Sequence, residues 1–547
     1  MGRARALSGS KFMAQAQPRH LLRTENRAPA SNWIMTPDTQ DVGSLAQSPS
    51  LPVSIHFGFE NTYARLPERF FARLNPTPVA APGLVKLNVE LARQLRLDPE
   101  ALAGAKGVEI LAGNRIAPGS EPLAIAYAGH QYGHFVPQLG DGRAILLGEV
   151  IGRDDVRYDI QLKGSGPTPF SRLGDGRAAL GPVLREYIVS EAMAALGVPT
   201  TRTLAAIATG EQVVRETVLP GAVLTRVATS HLRVGTFEYF AARRDTEAVR
   251  TLANYAMIRH YPDAARAAQP YRRLLDAVIA QQARLVAQWM LLGFVHGVMN
   301  TDNTSISGET IDYGPCAFME AFDLATVFSS IDRHGRYSYG NQPQIALWNL
   351  TRLAESLLPL LEEEAGSETL SLDSAREALS AFSPQYEAAL IAGLRQKLGL
   401  LTERDGDLAL AQNLLQRMSL HGADFTLTFR RLCGAAETAD ADAQVRVLFA
   451  DHGAYDVWAA QWRRRLQDEL TTPQARAAAM RRTNPAFIPR NHRVEAAINA
   501  AVERQDFQPF EELLDVVSQP YHERPEFERY TWPARPEERV LQTFCGT

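Results

Sequence analysis

The sequence predicts an α+β protein of two lobes, the first containing strands and the second mainly helical, followed by a helical C-terminal extension. Three observations support this class. Short apolar segments broken by glycines occur between residues 128 and 163. One strongly helical segment follows them, and helical periodicity then dominates from residue 271 onward.

The chain has 547 residues, too many for one average domain, and divides into four predicted regions. Residues 1–52 are rich in Ala, Ser, Pro and Arg without a sustained apolar period, which predicts a disordered extension. Residues 53–225 form the N-terminal lobe and residues 226–440 the C-terminal lobe. Residues 441–547 form the helical extension, ending in an extended, cysteine-containing tail.

Individual elements follow from local patterns. The turn Gly140–Arg143 is hairpin-like, and Tyr158–Lys163 (YDIQLK) is a short strand. The segment Pro182–Leu196 is a helix, with proline at its start and glycine just past its end. The run VVRETVLPGAVL (213–224) is strand-like, and Tyr271–Leu292 is a long amphipathic helix.

Composition excludes several classes of protein. A net charge of -4 with mixed signs argues against an obligatory nucleic-acid partner, and no apolar run approaches the ~20 residues of a membrane span. Three cysteines without a C-x-x-C pair exclude a disulfide scaffold and a thiolate zinc site. Only five of the 57 basic residues are lysines, so Lys163, alone in an apolar strand, suggests a need for a compact ammonium.

The stretch His296–Pro315, HGVMNTDNTSISGETIDYGP, imitates the catalytic loop of a kinase but lacks the aspartate of H-R-D. Val298 occupies the position of that aspartate. Asp302 and Asn303 nevertheless lie side by side further on, and Asp312 begins a D-Y-G in place of D-F-G. The metal-binding half of the loop is therefore present, while the usual base is missing.

The order of the polar residues favours a protein-kinase-like fold. A glycine turn, the strand residue Lys163, the helix residue Glu186 and then the two loop carboxylates occur in the order of kinase parts. Lys163 can neutralise phosphate oxygens and Glu186 can hold its ammonium in place. Asn303 and Asp312 offer hard oxygen ligands suited to Mg²⁺ or Mn²⁺.

The sequence gives less support to other kinds of nucleotide or metal site. Neither a P-loop nor a Rossmann glycine pattern is present. The pair His130 and His134 has helical zinc spacing but lacks the glutamate of H-E-x-x-H and contains a glycine, which favours structural histidines. Arg226 and Arg233 are either surface charges or two extra guanidinium clamps on the phosphates.

Taken together, the chain resembles the SelO (selenoprotein O) family of kinase-fold protein adenylyltransferases. The similarity runs from FENTYARLPERFFARLNPTPV (59–79) to the final Cys-Gly-Thr. It includes QLGDGRAILLGE, DIQLKGSGPTPFSRLGDGRAAL, LREYIVSEAM, LTRVATSHLRVGTFEYF and the loop quoted above. The resemblance implies a nucleotide flipped relative to ordinary kinases, so that the α-phosphate is presented and a base at the usual position would face the wrong phosphate.

The resemblance also implies residue roles. Asp302 should be the proton acceptor, Asn303 and Asp312 should bind Mg²⁺ or Mn²⁺, and Glu186 should pair with Lys163. The residues expected to contact ATP are Gly140, Gly142, Arg143, Lys163, Asp175, Gly176, Arg226, Arg233 and Asp312. A Ser, Thr or Tyr hydroxyl of a target protein would attack the α-phosphorus, leaving AMP on the protein and releasing pyrophosphate.

In eukaryotic relatives the position that Cys545 resembles is selenocysteine, and we hypothesise a disulfide between Cys316 and Cys545 that restrains the segment after Asp312. An atypical kinase transferring the γ-phosphate and a non-catalytic nucleotide-binding scaffold remain as alternatives. We expect a monomer in the bacterial cytoplasm, without nucleic-acid or membrane partners. A mitochondrial location is the alternative if the N-terminal extension is a transit peptide. A start codon assigned too early, with Met35 the true start, explains residues 1–34 equally well.

Overall fold

A computed structural model describes residues 55–544. The predicted disorder of residues 1–52 and the predicted role of Cys545 lie outside the described residues. Within them the predicted class is confirmed: an antiparallel sheet with one long helix precedes a large helical region.

The N-terminal lobe is built on an eight-stranded sheet in the order β1-β3-β6-β7-β10-β9-β2, with β8 paired to β10. These strands are β1 Phe71–Arg73, β2 Gly83–Leu87, β3 Leu123–Ile125, β6 Ala144–Ile151, β7 Arg157–Lys163, β8 Ala178–Ala179, β9 Arg202–Val214 and β10 Val218–Ala228. A separate hairpin pairs β4 Gly129–Gln131 with β5 His134–Val136. All described pairings within these sheets are antiparallel.

The centre of the sheet sets the position of Lys163. Strand β7 lies between β6 and β10, and its register places Lys163 opposite Ala144 on one side and Leu224 on the other. The predicted strand YDIQLK is confirmed. Polar and apolar residues do not alternate between an exposed and a buried face of this strand. Asp159, Gln161 and their apolar neighbours are all buried, as in a strand covered on both faces.

Two details of the N-terminal lobe differ from the sequence prediction. The run 213–224 is not one strand, because it contains the turn between β9 and β10. Three helices precede the predicted strands: α1 Val89–Gln94, α2 Pro99–Ala103 and α3 Ala105–Ala112. They are 5 to 8 residues long, too short for a helical period to be distinguished from noise.

The helix predicted at 182–196 is confirmed as α4, Leu180–Ala195. It is buried on nearly all sides because the sheet covers one face and the C-terminal extension covers the other. Arg185 donates to the Asn491 side chain at 3.0 Å and pairs with Glu495, both in the extension. The same guanidinium donates to the Cys316 carbonyl at 3.1 Å.

Most of the remaining described residues are helical, and the predicted helix at 271–292 is confirmed as α8. The C-terminal lobe contains α5 Val234–Ala241, α6 Thr246–His260, α7 Pro262–Ala265, α8 Pro270–Leu292, α9 Gln342–Ala365, α10 Glu368–Ser380, α11 Phe382–Lys397, α12 Asp407–His421 and α13 Phe425–Ala435. The extension contains α14 Asp442–Arg446, α15 His452–Leu466, α16 Pro473–Thr483, α17 Asn491–Arg504 and α18 Gln508–Ser518. Two-residue strands β11 Phe294–Val295 and β12 Ala317–Phe318 pair on either side of the loop quoted above. No described helix has the length and apolarity needed to cross a bilayer.

The predicted boundary between the lobes, at residue 225, falls inside strand β10. The division of the chain into four regions stays a prediction. From residue 519 to residue 544 the chain is irregular apart from short 3-10 turns at Pro525–Tyr530 and Pro536–Glu538.

Lys397, at the end of α11, gives a testable prediction about stability. It is 3% exposed, and burial lowers its pKa from 10.5 to about 7. Between pH 7 and 10.5 the unfolded chain therefore binds more protons, so this residue's cost to stability is complete below pH 7 and fades as the pH rises. We expect Lys397→Met to raise the free energy of unfolding at pH 7 by roughly 1–3 kcal/mol, and by less at pH 9.5.

Thermal melting of both proteins at the two pH values measures this difference. The rings of Phe425 and Phe429 lie 5.5 and 4.4 Å from the ammonium and would favour a charged lysine. A variant less stable than the parent at pH 7 would mean that the attraction of the rings for the ammonium outweighs the cost of burying its charge. The prediction would then be wrong.

Candidate functional site

A cleft of about 1050 Å³ lies between the sheet and the helical lobe. Every site residue predicted from the sequence lines it: Gly140, Gly142, Arg143, Lys163, Asp175, Gly176, Glu186, Arg226, Arg233, Asp302, Asn303 and Asp312. Residues separated by up to 172 positions in the chain are thus brought to one cavity.

Two glycine-containing loops of the N-terminal lobe form one wall of the cleft. Gly140 has φ +76°, and a Cβ there would lie 2.3 Å from the Phe170 ring. Gly176 has φ +68°, and a Cβ there would lie 2.1 Å from the Gly166 backbone. Because only glycine fits these positions, the loops 140–143 and 164–176 pack against each other closely enough to form one wall.

Three cations converge on the carboxylate of Asp312. Arg226 on β10 donates to Asp312 Oδ1 at 2.6 Å, and the Lys163 ammonium on β7 lies 3.3 Å from the same oxygen. Arg233, just before α5, binds Oδ2 and also donates to the Asp302 backbone carbonyl at 2.6 Å. The two arginines are therefore part of the site and not surface charges, being 1% and 3% exposed.

Glu186 on α4 is the second carboxylate of this cluster. It lies 2.6 Å from the Lys163 ammonium, as predicted, and also accepts two hydrogen bonds from Arg226 at 2.5 and 2.8 Å. Burial alone would raise the pKa of Glu186, but Arg226 and Lys163 outweigh it and lower this pKa. Glu186 therefore stays charged and fixes two cations at once.

Asp312 is held in an uncommon backbone conformation, with φ +62°. The preceding carbonyl, of Ile311, accepts a hydrogen bond from His296 Nε2 at 2.9 Å, and burial lowers the pKa of this histidine so that it stays neutral. Burial would also raise the pKa of Asp312, but Arg226, Arg233 and Lys163 hold it well below its usual range. A strained carboxylate kept ionised by three cations is typical of a functional position.

Asp302 lies in the 3-10 turn Thr301–Asn303, and its backbone carbonyl accepts from the same Arg233 nitrogen that binds Asp312. It is 7% exposed, and burial raises its pKa to about 7 although Arg233 partly offsets the shift. Among the described residues its Oδ1 has no hydrogen-bond partner, while Gln131 donates to Oδ2 at 3.3 Å. A largely buried carboxylate that lines a cleft and has a raised pKa is a candidate proton acceptor.

Asn303 offers its amide oxygen to the cleft. Its Nδ2 donates to the Val298 carbonyl at 3.0 Å, so the oxygen is the atom left for a ligand. The described residues contain no group of three or more His, Cys, Asp or Glu placed to hold a metal ion. The pair Asn303 and Asp312 still fits Mg²⁺, which commonly takes one or two protein oxygens and completes its shell with phosphates and water.

Asp175 lies at the exposed rim. Its carboxylate pairs with Arg215 at 2.9 and 3.1 Å, and this side chain is 47% exposed. It therefore lies further out than the cluster around Asp312, although both line the cleft.

Sequence reasoning missed three residues of the site. Asp141, within the quoted glycine turn, is 2% exposed and accepts from Gln161 at 3.1 Å, 4.0 Å from Arg233. Tyr127 presents its ring to Arg233 at 4.8 Å. Gln131 lies between the two histidines weighed as a zinc site. Its position in a turn-rich motif was visible, but its contact with Asp302 spans 171 positions and has no local signal.

The two histidines have separate surroundings. His130 Nδ1 lies 2.5 Å from Glu238 Oε1, while His134 is exposed. Cys316 is buried just beyond Asp312, and the predicted disulfide stays a prediction because Cys545 lies outside the described residues.

Comparison with known proteins shows similarity along most of the chain. The family model described as "Protein adenylyltransferase SelO" matches residues 54–518. The protein nucleotidyltransferase YdiU of Bradyrhizobium sp. strain BTAi1 is 64% identical over 495 residues, which cover 90% of this chain and 100% of that protein. A protein of the same name from Methylorubrum extorquens is 64% identical over 497 residues, covering 90% of this chain and 99% of that protein.

Proposed function

This chain belongs to the SelO family of protein adenylyltransferases, and we propose that it works by binding ATP with the terminal phosphates at Lys163, Arg226 and Arg233 and the α-phosphate near Asp302. It is a nucleotidyltransferase that uses ATP to adenylylate proteins.

One observation carries the proposal: two buried arginines and the partly buried Lys163 contact one carboxylate, that of Asp312. Arginine guanidinium groups bind phosphate in a forked geometry, and lysine adds a compact charge. This concentration of positive charge suits the terminal phosphates of ATP, which carry most of its negative charge. Binding of the terminal phosphates at Lys163, Arg226 and Arg233 supports the flipped orientation of ATP, because the α-phosphate is then left for transfer.

In the proposed reaction, a Ser, Thr or Tyr hydroxyl oxygen of the target protein attacks the α-phosphorus. The bond between this phosphorus and the oxygen bridging to the β-phosphorus breaks, and pyrophosphate leaves with that electron pair. Asp302 accepts the hydroxyl proton, because its carboxylate lines the cleft and burial raises its pKa to about 7, in the range of an efficient general base. Lys163 and the two arginines stabilise the charge that grows on pyrophosphate.

Asn303 and Asp312 would hold the divalent ion, Mg²⁺ or Mn²⁺. When bound, such an ion neutralises phosphate charge and orients the phosphate chain. For Asp312 to take part, its contacts with the three cations must rearrange as phosphate oxygens replace its carboxylate at them.

Parallel incubation with α-labelled and γ-labelled ATP tests the orientation. We expect label on protein from the α position only, with a loss of about 10²-fold or more in Lys163→Ala because a phosphate contact made in the transition state is removed. The exposed residue Lys106 supplies a matched control, and Lys106→Ala should keep full activity.

Stable label from the γ position alone would mean that the protein is an atypical kinase and that the orientation proposed here is wrong. The same reactions run with Mg²⁺ or Mn²⁺ alone identify the preferred ion.

We further propose a bacterial cytoplasmic location, supported by the bacterial relatives, and hydroxyl-bearing proteins as the acceptors. We also expect a monomer without a nucleic-acid partner. Gel filtration with light scattering measures the oligomeric state.

A further inference from the structure

The hairpin β4–β5 is attached to the catalytic loop, although it lies in the N-terminal half of the chain. The His130 amide donates to Thr301 Oγ1 at 2.7 Å, and the Tyr132 amide donates to Asn300 Oδ1 at 3.1 Å. Tyr337 from the helical lobe donates to the same Asn300 oxygen at 2.6 Å. The hairpin is thereby held against residues 300–302.

The tip of the hairpin is strained. Its two turn residues, Tyr132 and Gly133, have φ of +52° and +86°, as a two-residue turn with left-handed positions requires. A tyrosine in this region is uncommon and persists only where the surroundings impose it. The contacts of the Tyr132 amide with Asn300 and Tyr337 impose it here.

The base of the hairpin lies directly against Asp302. A Cβ at Gly129 would lie 2.5 Å from Asp302 Oδ1, so no larger residue fits there without moving the carboxylate. On the same strand, Gln131 lines the cleft and donates its Nε2 to Asp302 Oδ2 at 3.3 Å. Among the described residues this is the one side chain that the structure shows donating to that carboxylate.

We propose that Gln131 is a positioning residue for AMP transfer: by donating to Asp302 Oδ2 while Gly129 packs against Oδ1, it holds the carboxylate of the base in one orientation at the cleft. This inference rests on the proposed function, because it needs Asp302 to be the proton acceptor. A carboxylate with free rotation would present the acceptor hydroxyl with varying geometry. A carboxylate held by a hydrogen bond at one oxygen and by packing at the other keeps a constant geometry.

The test replaces Gln131 by methionine, which keeps the length of the side chain but cannot donate. We expect Gln131→Met to lower kcat about 10-fold to 100-fold while leaving the KM for ATP and the melting temperature unchanged, because the geometry of the base is lost and the phosphate site is not. His134 is paired with Gln131 across the hairpin and is exposed, so His134→Ala is the matched control and should keep the parent kcat.

A double-mutant cycle with Asp302→Asn shows whether Gln131 acts through Asp302. At high enzyme concentration and long incubation, Gln131→Met should cause no further loss in the Asp302→Asn background. An unchanged kcat in Gln131→Met, a raised KM for ATP, or an equal loss in both backgrounds would overturn the inference.

The same measurements separate this inference from the proposed function. If Asp302→Asn alone keeps the parent rate, the assignment of the base is wrong. If Asp302→Asn loses activity and Gln131→Met does not, the assignment of Asp302 as the base is supported and only the positioning role of Gln131 is wrong.

Discussion

Replacement of Asp312 by alanine is expected to lower AMP transfer by at least about 10³-fold, since the change removes a proposed metal ligand at the phosphates and the carboxylate on which three cations converge. Label transfer from α-labelled ATP, measured under saturating Mg²⁺ or Mn²⁺, gives the size of the loss. The exposed residue Asp263 supplies the control, because its side chain is 90% exposed and pairs only with a neighbour on the same surface.

In the absence of a metal ion, the affinity of Asp312→Ala for ATP should not fall as its rate of AMP transfer does. In the structure the carboxylate of Asp312 occupies the cationic groups of Lys163, Arg226 and Arg233, so it competes with phosphate for them. We therefore expect Asp312→Ala to bind ATP in EDTA at least as tightly as the parent protein does. Calorimetry measures this, and weaker binding in EDTA would show that Asp312 organises the cations for phosphate instead of competing for them.

Replacement of Asp302 by asparagine is expected to lower kcat by about 10²- to 10⁴-fold and to leave the affinity for ATP unchanged. The amide has the same shape as the carboxylate but cannot accept the hydroxyl proton as a base. The described contacts of the Asp302 side chain do not include Lys163 or Arg226, and Arg233 donates to the Asp302 backbone carbonyl. Single-turnover label transfer and ATP titration separate the two quantities.

Asp155→Asn is the matched control, because Asp155 is 85% exposed and its left-handed backbone, with φ +59°, suits asparagine as well. Retention of the parent kcat by Asp302→Asn would contradict the proposed base. AMP transfer would then depend on positioning and charge stabilisation alone.

Long-period patterns made much of the fold predictable. The helix at Pro270–Leu292 and the strand ending at Lys163 were recognised because each has enough residues to show its period or its apolar run. The short helices α1–α3 were missed for the opposite reason, and the turn between β9 and β10 was hidden inside an apolar run. A hairpin whose turn is Arg, Glu and Thr carries none of the usual glycine or asparagine signals.

The order of the polar residues predicted Lys163, Glu186, Asp302, Asn303 and Asp312 as site residues, and the family resemblance implied the rest of the site. Asp141 and Tyr127 were missed because an aspartate in a turn and a tyrosine in an apolar segment have common structural explanations. Their contact with Arg233 exists only once strands β3, β6, β7 and β10 are assembled side by side in the sheet.

The sequence by itself determined the class of fold, the family and the residues that carry the charge, because these depend on residue identity, on order and on local periodicity. Only the tertiary structure decided that Lys163, Arg226 and Arg233 share one carboxylate, that the extension covers α4 through Arg185, and that Gln131 contacts Asp302. Each of these contacts joins residues that are far apart in the chain. Such contacts form only when buried apolar surface brings the strands and helices together, and neither charge nor spacing along the chain specifies their geometry.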